Sequence, residues 1–223
     1  MNFGSFGTSF GSFGSPYSQK YKYMVGTFDG VADEVNFGTH AIPASDSIEV
    51  VFTPQDEASR GCLYSQGSVP GSFGYAIAWD GSSDRIFVRS NGGATVSLTT
   101  ATNSCVADGT KYKVTYDYNS SAGTATLVLF NADTGVTIET VSETGLDANK
   151  FNTGASRPLK VGEDQANLDD YLGHIHSIKS SFIDVDFQAN IGTTTVVDNS
   201  GNGNNGTITT GSGGLATFWG TRI

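Results

Sequence analysis

"KYKVTYDYN", residues 111–119, alternates without a break. Tyr112, Val114, Tyr116 and Tyr118 fall on one side of an extended chain. Lys111, Lys113, Thr115 and Asp117 fall on the other. Side chains two apart share a face in a strand, whereas a helix would scatter these eight around its circumference. The pattern is that of a strand with one face in a core and one in water.

The same period continues on both sides of this stretch. Downstream, "TATLVLFNADTGVTIETVSE" (124–143) reads as a hairpin turning at Asp133-Thr134-Gly135. Upstream, "SIEVVF" puts Ile48, Val50 and Phe52 on one face. "YAIAWDG" sets Tyr75, Ile77 and Trp79 against the small Ala76 and Ala78, and "RIFVRS" sets Ile86 and Val88 against Arg85, Phe87 and Arg89. "PLKVG", "YLGHIHSIKSSF" and "IDVDF" follow. "TTTVVDNSGNGNNGTITT" holds Asn205-Gly206, the pair a tight hairpin favours, and "LATFWGTRI" closes the chain. No helix is predicted. Many short strands with Gly-rich turns predict an all-β fold, a two-sheet sandwich or jelly roll.

Length and composition agree. The 223 residues suit one larger β-sandwich or two very small domains, and 29 Gly against 5 Pro fits a chain of many turns. The net charge of −10 and pI near 4.5 repel phosphate, so no nucleic-acid partner is expected, and the sign is wrong for an anionic membrane. No apolar run reaches the length of a membrane span. The opening residues lack the basic and apolar regions of a secretory leader.

Those opening residues are a repeat. Asn2 to Thr8 read NFGSFGT and Ser9 to Ser15 read SFGSFGS. Phe3, Phe6, Phe10 and Phe13 hang on a string of Gly and Ser, with Tyr17 beyond Ser15-Pro16. The segment has neither a helical face nor a sustained alternation. Residues 1–21 are read as an extended arm and 22–223 as one domain. Docking the rings must offset the backbone freedom lost on ordering the arm, so added backbone hydrogen bonds or several neighbouring subunits are expected.

Several motifs together resemble the laminin-G-like, concanavalin A-like domains. "TFDGVADEVNFG" (27–38) is similar to their opening signature, "SIEVVFTP" to the inner strand after it, and "VADGTKYKVTYDYNSSAGTATLVLFN" to their central hairpin. "PLKVGEDQANLDDYLGHIHSIK" carries Gly162, Gly173 and Ile175 in the family's order, and "DFQANIGTTTVVDNSGNGNNGTI" is similar to its Asp-x-Ser-Gly-Asn-Gly turn. The resemblance covers residues 23–223. It implies a jelly-roll sandwich of two curved antiparallel sheets, and by itself no ligand.

Chemistry is sparse. Gly201 to Gly206 matches G-x-G-x-x-G, but strand-like Thr207-Ile208 follows where a dinucleotide site needs a helix. The reading for that stretch is a turn with positive φ. Asp198, Ser200 and Asn202 resemble the first half of a calcium loop, with Asp29 as a distant helper. Thr209 stands where the bidentate acid belongs, so turn formation by Asp198 and Ser200 is preferred over calcium. Gly7 to Gly11 matches a nucleophile elbow without its strand and helix. His174 and His176 share a face but lack a third zinc ligand, His40 being the only other histidine. Glycosidases of this fold need two spaced carboxylates on one strand, and Asp184-Val185-Asp186 has no Glu partner. Asp33-Glu34, Glu163-Asp164 and Asp169-Asp170 read as solvated loops. Tyr64, Phe73, Trp79 and Trp219 are the candidate sugar platforms, set against the commoner fate of packing in a core. Cys62 and Cys105 are read as two buried thiols in preference to a disulfide.

The reading that unites these features is a non-enzymatic bacteriophage virion protein, either a capsid decoration or a tail component. The arm would anchor it to other virion proteins or to symmetry mates as a homo-oligomer on the particle surface. A glycan- or receptor-binding tail-fibre adhesin is the second reading, and a secreted carbohydrate-binding module the third. No cofactor is expected.

Overall fold

A computed structural model describes residues 26–55, 60–67, 74–90, 96–163, 170–211 and 214–219. The arm residues Phe3, Phe6, Phe10, Phe13 and Tyr17, the Gly7–Gly11 match and Phe73 lie outside them. The strands are β1 (Gly26–Asp29), β2 (Glu34–Ala41), β3 (Ser45–Pro54), β4 (Arg60–Gln66) and β5 (Tyr75–Asp80). Next come β6 (Arg85–Ser90), β7 (Val96–Thr99), β8 (Tyr112–Asn119), β9 (Thr124–Asn131) and β10 (Thr137–Glu143). The chain ends with β11 (Ser156–Val161), β12 (Leu172–Lys179), β13 (Asp184–Asp186), β14 (Thr195–Val196) and β15 (Gly206–Thr209).

They form two antiparallel sheets. One runs β1-β12-β3-β8-β9-β10, with β13 also paired to β12; the other runs β14-β15-β2-β11-β4-β5-β6-β7. The strand that opened the sequence reading, β8, lies inside the first sheet between β3 and β9. Tyr112, Val114, Tyr116 and Tyr118 are buried, as the alternation requires. Tyr116 stacks on Tyr118 and Tyr118 on Phe151, and both tyrosines lean on Tyr75 of the facing sheet. Burial of such rings from both layers is the main force holding a sandwich closed. The hairpin of β9 and β10 turns at Asp133–Gly135, where Asn131 Oδ1 accepts from the N–H groups of Asp133 and Thr134 and Gly135 takes φ +71°.

Two expectations are corrected. The first concerns helices. A five-residue helix α1 (Gly214–Phe218) and two 3₁₀ turns, Ala148–Phe151 and Phe187–Asn190, punctuate the strands. They serve as plugs: Phe218 lies edge-on to Phe28 at 5.0 Å and to Trp219, whose Nε1 donates to Thr193 O at 2.9 Å. Pieces this short carry no readable period.

The second concerns Asn205-Gly206, which is not the tip of a two-residue hairpin. Gly206 is already in β15, paired with Val196, and Asn205 Oδ1 accepts from Asp198 N. A Cβ at Gly206 would sit 2.6 Å from Phe37 and Val35, so close packing of strand on side chain demands glycine there. Gly162 is fixed in a similar way. It takes φ +87°, and a Cβ would lie 2.1 Å from the Phe28 ring.

Candidate binding face

Pairing register fixes which residues line the outer face of the eight-stranded sheet. Val35, Leu159, Val161, Tyr64, Ile77, Trp79 and Val88 point into the core, so their neighbours point out. One outward row crosses all eight strands: Thr195, Thr207, Asn36, Lys160, Ser65, Ala76, Arg89 and Ser97. Beside it run Cys62, Ala78, Phe87 and Thr99, then Arg60, Asp80 and Arg85. The centre of this face is made by the small Ser65, Ala76, Ala78 and Cys62, which are at most 2% exposed, so only the partly exposed residues around them can meet a ligand. The row is buried at its middle and exposed at Thr195, Thr207 and Ser97.

Two charged groups flank this centre. On one side Arg60 and Arg89 both lie over the Phe87 ring, at 5.4 and 5.2 Å from its centre, and shield it from water. Arg85 donates through Nε and an Nη to Asp80 Oδ2 at 3.1 and 3.0 Å, and Ser82 donates to Oδ1. Burial works to raise Asp80, but the Ser82 hydroxyl and Arg85 hold its carboxyl below the usual range.

On the other side Lys160 Nζ is paired with Glu34 and lies 3.9 Å from Glu163 Oε2. Ser65 Oγ donates to the Glu163 backbone oxygen at 3.2 Å. Glu163 is 2% exposed, and its Oε1 has no hydrogen-bond partner. Burial, reinforced by the Glu34 carboxyl, pushes Glu163 up to about 7, against the pull of Lys160. Near neutrality this group is a mixture of acid and carboxylate. With Lys160, it offers both a donor and an acceptor.

The reading of Asp33, Glu34 and Glu163 as parts of solvated loops is thus corrected, while Asp164 and Asp169 lie outside the described residues. Asp33 is buried and accepts from the N–H groups of Asp29 and Gly211 at 3.0 and 2.9 Å, and Glu34 and Glu163 converge on Lys160. Sequence alternation places Lys160 on an outward face but cannot show that residues over 120 positions apart meet there.

The aromatic sugar platforms are corrected too. Tyr64, Trp79 and Trp219 are at most 2% exposed. Tyr64 stacks on Tyr75, and Trp79 Nε1 donates to Cys105 O at 3.0 Å. Their faces are covered by core, not offered to a ligand.

The Asp198 segment is a turn. Asp198 Oδ1 accepts from the N–H groups of Asp184 and Ser200, and Oδ2 accepts from Asn204 N and Ser200 Oγ. Asn202 Nδ2 donates to the Ser181 and Phe182 carbonyls. Asp29 Oδ1 accepts from Val31 N within its own loop. The Asp198 oxygens that a calcium ion would need face N–H and O–H donors, and the described residues bring no three His, Cys, Asp or Glu side chains into a metal-holding group. Gly201 and Gly203 take φ +87° and +74°, as a turn requires, and strand β15 follows.

His174 and His176 share the outer face of the seven-stranded sheet. His174 contacts Thr27 Oγ1 and Gln55 Nε2, and His176 contacts Thr53 Oγ1. Burial, with Lys111 and His174 nearby, pulls His176 down to about 4, so it is neutral at pH 7. Asp184 pairs with Lys179 at 3.0 Å, while Asp186 accepts from Gln188 N and caps a 3₁₀ turn. Cys62 and Cys105 are buried thiols that form no disulfide with each other, as read from the sequence.

No protein-family model matches the chain, and no curated protein matches it in sequence. Solved structures do share its fold. Mouse laminin alpha1 chain domains LG4–5 align over 74% of this chain and 44% of theirs, with a TM-score of 0.55 at 12% identity. The enzymatically active domain of bacteriophage CBA120 tailspike protein 2 aligns over 69% of this chain and 24% of its own, with a TM-score of 0.52 at 18% identity. The full-length tailspike protein 2 gives 0.50 at 16% identity, over 69% and 21%. The matched part thus spans about a quarter of the tailspike chain or less. At these identities the likeness defines the fold: a jelly-roll sandwich of the laminin-G-like, concanavalin A-like type.

Proposed function

We propose that the chain is a non-enzymatic structural component of a bacteriophage particle, a tail appendage or capsid decoration. In this reading it displays a lectin-like sandwich and is held in place by residues 2–15. One observation carries the reading. Among the described residues most aromatic side chains are spent on the core, and the exposed large apolar residues are Val31, Val106, Val136, Ile138, Ile191 and Val197, none of them aromatic. The FGSFG repeat, four rings on a Gly/Ser string, is then the segment best suited to an intermolecular contact. The shared fold of a phage tailspike domain is in keeping with this assignment.

Deleting residues 2–15 tests it. The truncated chain is expected to keep its thermal unfolding transition and to be missing from purified particles; particles that still carry it would refute the anchoring role.

A second reading, a glycan-binding adhesin, is favoured by the outer face of the eight-stranded sheet. Arg60 and Arg89, partly exposed over the Phe87 ring, are groups on this face able to hydrogen-bond sugar hydroxyls. A glycan array on the wild type and Arg89→Ala decides. Binding that survives R89A unchanged, or no binding to any glycan, removes this face from consideration.

A further inference from the structure

The seven-stranded sheet has two ends, and they differ. It begins at β1, four residues long, and finishes at β10, seven residues long with no neighbour beyond it among the described residues. The ends of the other sheet, β14 and β7, have two and four residues. Short edges offer little to a foreign strand; a long edge presents a row of unused N–H and C=O groups. Proteins guard such edges with Lys, Pro, bulges or inward-pointing charges; β10, TIETVSE, has no Lys or Pro, and its charges are Glu139 and Glu143, on the face of Val141. A bulge between Thr137 and Glu139 is its one irregularity. At this end of the hairpin Val136 and Ile138 are 61% and 41% exposed, two of the six exposed large apolar residues in the described chain.

The arm comes from the opposite side of the same sheet. Residues 1–25 precede β1, the far edge. Two sheets placed edge to edge would therefore bring the arm-bearing side of one copy to the open β10 side of the next. Extended, 25 residues reach up to about 80 Å, against about 24 Å across five strand spacings. The composition suits strand addition. Residues 2–19 carry no charge to desolvate, and their Gly and Ser residues let backbone approach backbone. Laid out as a strand, Phe6 and Phe10 share one face and Phe3 and Phe13 the other, so either face brings a ring to an apolar edge.

We propose that β10 of one copy receives residues 2–15 of a second copy as an added strand. The contact is head-to-tail. Each copy gives an arm at one edge and takes one at the other, so repetition closes a ring or runs on as a chain. The inference rests on the reading of the arm as an attachment segment and names its receptor.

Two full-length variants test it. V136K/I138K guards the edge with lysines at exposed positions, and F3S/F6S/F10S/F13S strips the arm of its rings. By sedimentation velocity the wild type is expected to assemble with rising concentration, and each variant alone to associate at least about tenfold more weakly. Mixed, the two variants should form 1:1 pairs and nothing larger, because the mixture holds one working arm and one working edge per pair. A monomeric wild type, variants that assemble like the wild type, or a mixture that stays monomeric would each overturn the proposal. The last outcome with an assembling wild type points to an arm that folds back on its own β10 or docks elsewhere. Particle loading of the arm-deleted chain scores the anchoring role separately, so failure of one leaves the other readable.

Discussion

Asp198 and Glu163 are both almost fully buried, yet their carboxyl groups meet opposite surroundings. Asp198 is 8% exposed and accepts four hydrogen bonds from Asp184, Ser200 and Asn204. Burial works to raise it, but these donors outweigh burial and hold it below the usual carboxylate range. Glu163 is 2% exposed, faces the Glu34 carboxyl, and has one oxygen with no partner. Burial and that second acid push it up to about 7. Burial alone therefore does not set the character of an acid in this sandwich; the donors around it do. The turn at Asp198 is a closed structural unit, whereas the cluster at Glu163 keeps a buried acceptor oxygen without a partner.

The sharpest way to break this contrast is to remove Lys160. Lys160→Met strands Glu34 and Glu163 together and is expected to destabilise by about 3–5 kcal/mol at pH 8, with a smaller loss near pH 5, where Glu163 holds its proton. Urea unfolding at the two pH values measures it. Next is Asp198→Ala, which leaves three backbone N–H groups without their acceptor and should cost about 2–4 kcal/mol at pH 7. Asp198→Asn, which keeps one carbonyl oxygen, should cost clearly less.

The pH dependence of the two sites runs in opposite directions. Glu163 has a folded value near 7, above the 4.5 of an unperturbed Glu. The folded state binds its proton more tightly, so the stability it contributes is full below about pH 4.5 and is lost as pH rises through 7. Glu163→Gln should flatten that window and leave the protein about 1–2 kcal/mol more stable than wild type at pH 8. A wild type whose melting temperature does not fall between pH 5 and 8 would contradict the account. Asp198 has a lowered value, so its contribution is present above the unfolded value of 3.8 and is lost as pH falls below it. The smallest effect belongs to the exposed pair beside that turn. Lys179→Ala removes the partner of Asp184 and should change stability by less than about 0.5 kcal/mol in a thermal melt.

The fold was legible because β8, β3 and the β9–β10 hairpin write their burial into a two-residue period. Tyr112, Val114, Tyr116 and Tyr118 are buried where that period puts them. Asp198 was also legible, since an Asx turn is a local event spanning Asp198 to Asn204. The Glu163 cluster was not. Glu34, Lys160 and Glu163 meet only because β11 pairs with β2 at Lys160 and Asn36, and no local pattern announces that register. The aromatic platforms failed for a related reason. Whether a Trp covers a ligand or a core depends on which layer lies over it, and Trp79 and Trp219 lie under one.

The pairing of β1 with β12 has a consequence in time. Gly26 is the register partner of Ile175, and Phe28 packs against Phe218. During synthesis, which runs from the N-terminus, β1 has no partner until most of the domain has been made. Contacts between such distant residues carry a high loop-closure cost and slow the search for the native state. The first described strand of this domain is thus among the last to be seated. It waits exposed, directly behind the repeat, while the β9–β10 hairpin already has all it needs to form.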